Sequence, residues 1–114
     1  MPRTAPRGPS SDIALDALGN GTRRAIVRAL AQGPKAVGEI ATRLPVSRPA
    51  VSKHLRVLER AGLVRHESRG TKNVFRLERS GFDSARGWLD AFWDHALARF
   101  AMVAENTSRR RRTR

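Results

Sequence analysis

The chain has 114 residues and no cysteine, and 23 Lys and Arg against 10 Asp and Glu give it a net charge of +13. That length suits one domain, the missing cysteine excludes disulfides, thiolate metal sites and Cys nucleophiles, and the charge calls for a polyanionic partner. No apolar run approaches the ~20 residues of a membrane span, and "MPRTAPRGPS" lacks the apolar core of a secretory signal, so a soluble, cytoplasmic protein with no membrane partner is expected.

Residues 1–10 are rich in Pro, Gly, Ser and Arg and read as a disordered arm. "SDIALDALGNGTRRAIVRALAQG" then gives two helices split at Gly19-Asn20-Gly21. Ile13, Leu15 and Leu18 are the apolar residues of the first. Ile26, Val27 and Leu30 repeat at helical spacing in the second, with Thr22 as a plausible N-cap and Gly33-Pro34 as its stop. "AVGEIATRL" spaces Val37, Ile40 and Leu44 as a short third helix.

After the break at "PVS", Ser47 can cap a fourth helix, and Pro49 falls in its first turn, where a missing N–H costs nothing. Val51, Leu55 and Leu58 form its apolar stripe, and Gly62 is its stop. "LVRHES" and "NVFRLE" alternate apolar and polar residues and flank "RGTK", which predicts a two-stranded antiparallel ribbon with a basic tip. A longer helix follows from Ser80 to about residue 106. Trp88, Leu89, Phe92, Trp93, Leu97, Phe100 and Val103 run along one side of it. Residues 108–114 are too charged to fold alone.

The order α-α-α-α-β-β-α describes a mainly α chain with a small β-hairpin. Two short helices separated by a tight break, with a hairpin directly after, make a winged helix-turn-helix. It occupies residues 11–107, between the N-terminal arm and the Arg-rich tail. Charge follows this plan: residues 36–79 hold ten basic and four acidic side chains, whereas residues 80–107 hold two basic and four acidic. The folded middle, and not the tails alone, is basic, so double-stranded DNA is the expected partner.

On the fourth helix the stripe serves the core, and the other face offers Ser47, Arg48, Ser52, Lys53 and Arg56 to DNA. The second helix of such a motif lies in the major groove with its N-terminal residues at base edges. Arg48 in the first turn is placed to fork onto guanine O6 and N7. Lys53 and Arg56 suit phosphates, which fix register without reading sequence. The hairpin tip, Arg69, Thr71 and Lys72, reaches an adjacent groove or backbone. His54 lies on the flank and has two readings, a phosphate contact or a seat for the helix. Its spacing from His66 and His95 excludes a metal role. The aromatic stripe of the last helix also has two readings, packing on the chain's own core or burial against a second copy. So short a chain with so many late aromatics favours the second.

"LGNGTRRAIVRAL", "VGEIATRLPVSRPAVSKHLRVLERAGLV" and "RGTKNVFRLE" together resemble the ArsR family of bacterial winged-helix repressors, over residues 11–105. The resemblance implies a homodimer on an inverted repeat near promoters, joined through its first and last helices. Ile13, Leu15, Leu18, Trp88, Leu89, Phe92, Trp93, Leu97 and Phe100 would form that interface. "SRPAVSKHL" and a Trp-bearing last helix are similar to the branch without the family's metal box, many of whose members regulate their own operons. The third helix, where the thiolate box would fall, holds nothing to bind a soft metal. Asp90, Asp94, His95 and Glu105 on the last helix also miss the family's ligand pattern, since His95 points about 100° away from Asp94. No metal or cofactor is expected, and the sequence leaves a small-molecule effector open.

An autoregulatory, sequence-specific repressor is therefore the leading expectation. A nucleoid-type protein with little sequence preference is the alternative, driven by tails and net charge. An enzyme is not expected: there is no Gly-rich phosphate loop and no His–carboxylate pair at usable spacing.

Overall fold

The computed structural model describes the backbone of residues 8–112 and the side chains of residues 11–107. Helices α1 (Gly8–Leu18) and α2 (Gly21–Leu30) are followed by a short strand β1 (Lys35–Ala36). Helices α3 (Val37–Ala41) and α4 (Arg48–Arg60), strands β2 (Val64–Arg69) and β3 (Lys72–Leu77), and helix α5 (Arg79–Arg112) complete the chain.

Several features differ from the sequence reading; α3, for one, ends at Ala41, so Leu44 falls in the turn after it. The strand β1 was not expected. It pairs antiparallel with β3, Lys35 opposite Phe75 and Ala36 opposite Val74, so the ribbon is a three-stranded sheet of order β1-β3-β2. Two residues carry too little periodicity to announce a strand; the pairing is a backbone matter. The N-cap of α2 is Asn20 and not Thr22, because the Asn20 side chain accepts from the Arg23 amide at 3.0 Å. α1 begins at Gly8, inside the expected arm, of which residues 1–7 lie outside the described residues. α5 runs through the expected tail to Arg112, leaving residues 113–114 outside. Extending an existing helix adds one hydrogen bond per residue fixed, without the cost of a new nucleus, so charge alone does not stop it.

The core lies where α2, α3, α4 and the sheet meet. Ile26, Ile40, Val51, Leu55, Leu58, Leu63 and Val64 are its fully buried side chains. Ala14 and Ala17 of α1 and Ala85 of α5 close its lower side with small residues that let the helices approach. α4 ends as its glycine requires. Gly62 takes the left-handed conformation at φ +73°, Leu63 N–H reaches the Leu58 carbonyl at 3.0 Å, and Gly62 N–H reaches Glu59 at 3.0 Å. α5 then starts against that turn, with Gly81 N–H donating to the Gly62 carbonyl at 2.7 Å.

α5 packs mainly on α1, and the Ser11 hydroxyl donates to the Ser84 carbonyl at 3.2 Å; among the described residues, its side chains beyond Ala85 are exposed apart from half-buried Ala96. A compact chain of this length has a radius of gyration of about 13 Å. This protomer has 20.2 Å, and its longest dimension is 75 Å.

Candidate nucleic-acid interface

The recognition segment is built by local chemistry. The Ser47 hydroxyl accepts from the Ala50 amide at 3.3 Å, which fixes where α4 starts, and Pro49 sits in the first turn. Val51, Leu55 and Leu58 anchor one face of the helix in the core. That leaves Ser47, Arg48, Pro49, Lys53 and Arg56 exposed, with Ser52 and His54 half-buried on the flanks.

His54 is drawn to its own protein. Arg23 of α2 donates through Nη1 to His54 Nδ1 at 3.3 Å, and its Nε donates to the Ala17 carbonyl at 2.7 Å. A guanidinium cannot accept, so His54 Nδ1 is unprotonated and its ring is the Nε2–H tautomer. Burial, then the Arg23 and Lys53 charges, hold the His54 pKa below the usual histidine value. Of the two sequence readings, this geometry favours the seat. Arg24 Nη1 also donates to the Leu18 carbonyl at 2.9 Å. The turn after α1 is thus capped by two arginines, one of which reaches the recognition helix.

The wing places Arg69, Thr71 and Lys72 together at its exposed tip. Gly70, at φ +64°, closes the two-residue turn between the paired Arg69 and Lys72. Glu67 accepts from Arg76 at 3.1 Å and from Arg69 at 3.5 Å, so part of the tip's charge is offset. Arg48 does not extend straight out from α4. Its guanidinium lies against Gly38 of α3, with Nη2 3.2 Å from where a side-chain Cβ would stand. There it lines a cleft of about 590 Å³ between α3 and the wing tip, whose walls include Thr42, Arg43, Thr71, Lys72 and Asn73. Sequence reasoning missed Arg23, Gly38, Thr42 and Arg43. The signal for Arg23 was its position three residues after the capping Asn20; the others carried none.

The expected interface residues divide. Trp88, Leu89, Phe92, Trp93, Leu97 and Phe100 are all exposed, Trp93 at 60% and Phe100 at 71%, and Ile13 of α1 is exposed at 48%. Leu15 and Leu18 are instead half-buried against the chain's own core, because α1 is wedged among α2, α4 and α5. Trp88 and Phe92 stack with ring centroids 5.5 Å apart. The protomer's own core therefore does not absorb the aromatic stripe. Asp90 pairs with Arg86 at 3.7 Å in solvent. Among the described residues no group of three or more His, Cys, Asp or Glu could hold a metal ion, and no helix is long and apolar enough to cross a membrane.

Comparison with known proteins agrees with this geometry. Residues 18–67 match a family model described as a helix-turn-helix domain. The chain is 52% identical over 97 residues to the HTH-type transcriptional regulator Rv2034 of Mycobacterium tuberculosis, covering 85% of this chain and 91% of that one. An ArsR-like transcriptional regulator from Rhodococcus sp. RHA1 superposes with a TM-score of 0.69 at 32% identity, covering 84% of this chain and 93% of that one. A homodimeric winged helix-turn-helix DNA-binding domain from Mycobacterium bovis, a possible ArsR-family regulator, gives a TM-score of 0.62 at 31% identity, over 85% of this chain and 94% of that one.

Proposed function

The chain belongs to the ArsR family of winged helix-turn-helix transcriptional regulators, and from that premise we propose that it is a homodimeric, sequence-specific repressor acting in the cytoplasm. One observation carries the reading. A helix capped by Ser47 and anchored by Val51, Leu55 and Leu58 presents a polar, basic face next to an exposed basic wing. Ser47, Arg48, Pro49, Ser52, Lys53 and Arg56, with Arg69, Thr71 and Lys72, form the DNA contact set, and His54 supports it from behind. Two copies joined through α5 and the exposed part of α1 repeat this surface about a two-fold axis. Their site is then an inverted repeat. The dimer is supported by the uncovered stripe from Trp88 to Phe100 and by the homodimeric relative. Repression follows from occupancy: a dimer bound across its own promoter excludes polymerase until its level falls.

The test is binding to the DNA upstream of its own gene against scrambled DNA of equal composition at about 150 mM salt, since low salt inflates the nonspecific term. Preference for the upstream duplex supports the reading. Equal binding to both would point to the nucleoid-type alternative, which the charge of +13 would serve.

A further inference from the structure

The cleft between α3 and the wing tip has a shape and a chemistry that the contact set above does not explain. Its walls bring Arg43 and Arg48 together with Lys72, and add the hydroxyl of Thr71 and the amide of Asn73; the Thr42 hydroxyl there donates to the Glu39 carbonyl at 2.8 Å, and Arg43 Nη1 to Gln32 at 3.2 Å. One acidic side chain also lines it: Glu39, whose Oε1 accepts from the Ala36 amide at 2.8 Å. Three cations against that one carboxylate leave the trough net positive.

Duplex geometry says what would lie there. The major and minor grooves are adjoining, and one sugar–phosphate strand forms the ridge between them. If α4 occupies the major groove and the wing reaches the adjoining groove, that strand must pass between the two elements. The cleft opens beside that path: Arg48, the first residue of α4, and the wing-tip residues Thr71, Lys72 and Asn73 all line it, and α3 forms the remaining wall. We infer that the cleft is a phosphodiester seat, and that Arg48 is a backbone clamp on the strand dividing the two grooves, with Lys72 gripping the same strand from the wing.

Gly38 makes this possible. Without a side chain there, the Arg48 guanidinium lies back against α3, and Nη2 comes within 3.2 Å of the position a Cβ would fill. The side chain is thereby turned toward the trough. The first-turn position alone suggests a base-edge contact; the cleft assigns this arginine to phosphate instead. A phosphate contact sets the register of α4 but does not itself read sequence, so base discrimination falls to the shorter side chains of the helix. This assignment rests on the DNA-binding reading given above.

The experiment measures affinity against salt concentration for two probes. One is a duplex enriched by the wild-type protein from a random-sequence pool. The other is a scrambled duplex of the same composition. Arg48→Ala should weaken both by the same factor, roughly tenfold, and should make the salt slope shallower by about one per half-site. Arg48→Lys should recover most of the affinity and the slope, because a point charge still serves a phosphate but not a forked base contact. Lys72→Ala should lower the slope in the same way. A loss confined to the enriched duplex with the slope intact would overturn the assignment and make Arg48 a base reader. Unchanged affinity and slope in both variants would also overturn it, leaving the cleft empty in the complex. Failure of the wild type to enrich any duplex counts against sequence-specific recognition instead, and the scrambled duplex still reports on the cleft.

Discussion

Arg23 and His54 join the turn after α1 to the recognition helix: Arg23 Nη1 lies 3.3 Å from His54 Nδ1, and its Nε holds the Ala17 carbonyl. The contact needs a neutral imidazole. His54 thus couples the footing of α4 to pH.

The sign follows from the lowered folded pKa, caused first by burial and then by Arg23 and Lys53. Above the unfolded value the ring is neutral in both states, and its contribution to stability is fully present. As pH falls from that value through the lowered folded pKa, the unfolded chain binds the proton more readily, and the contribution is lost. Wild-type melting temperature should therefore drop more than that of His54→Gln between about pH 7.5 and pH 5.5. Parallel curves for the two proteins would show that His54 titrates as an ordinary surface group.

Gly81 should tolerate no side chain. A Cβ there would stand 2.5 Å from the Ala61 carbonyl oxygen and 2.6 Å from the Gly62 carbonyl, all backbone that cannot swing aside. Gly81→Ala should cost about 1–3 kcal/mol, as overpacking does, read from chemical denaturation. Gly87, on the same helix, has nothing within 4 Å of its added Cβ. Gly87→Ala should gain about 0.5–1 kcal/mol from helix propensity. A loss at Gly87 would place it in the seam with a second copy.

Sedimentation at micromolar concentration should give twice the chain mass of 12.7 kDa. Trp93→Asp or Phe92→Asp, each burying a charge in the proposed seam, should cost the dimer more than about 2 kcal/mol and lower DNA affinity in step. A folded monomer that keeps full affinity for the operator would refute the two-fold arrangement.

Operator binding should be the same in zinc and in chelator at fixed ionic strength. The chain has no cysteine, and among the described residues no three His, Asp or Glu side chains come together to hold a metal ion. Ionic strength must be held constant because divalent ions compete for phosphates. Release of DNA by stoichiometric zinc, abolished in His95→Ala, would make α5 a sensor.

The motif was readable because its signals are local. Ser47, Pro49, the stripe from Val51 to Leu58 and Gly62 each act within a turn or two of chain, and the structure places each accordingly. What escaped depends on distant partners. β1 exists only because Phe75 and Val74 arrive forty residues later to pair with it. Arg23 looked like one more cation until the turn after α1 brought its carbonyls within reach. Gly81 carries no pattern of its own, since its lack of a side chain matters only where α5 lands on Gly62. Arg48 stood out as an exposed first-turn cation, but that its guanidinium lies against Gly38 on another helix was not legible.

The 34-residue span of α5 has a consequence for timing. Among the described residues, the side chains of α5 from Arg86 to residue 107 are exposed apart from half-buried Ala96; in the proposed dimer that stretch gains its cover from a second copy, and the cover depends on concentration. For the dimeric repressor proposed above, operator occupancy follows the square of the protomer level where dimers are scarce. Halving the protomer concentration would then cut occupancy toward a quarter, a steeper response than a monomeric binder of equal affinity could give.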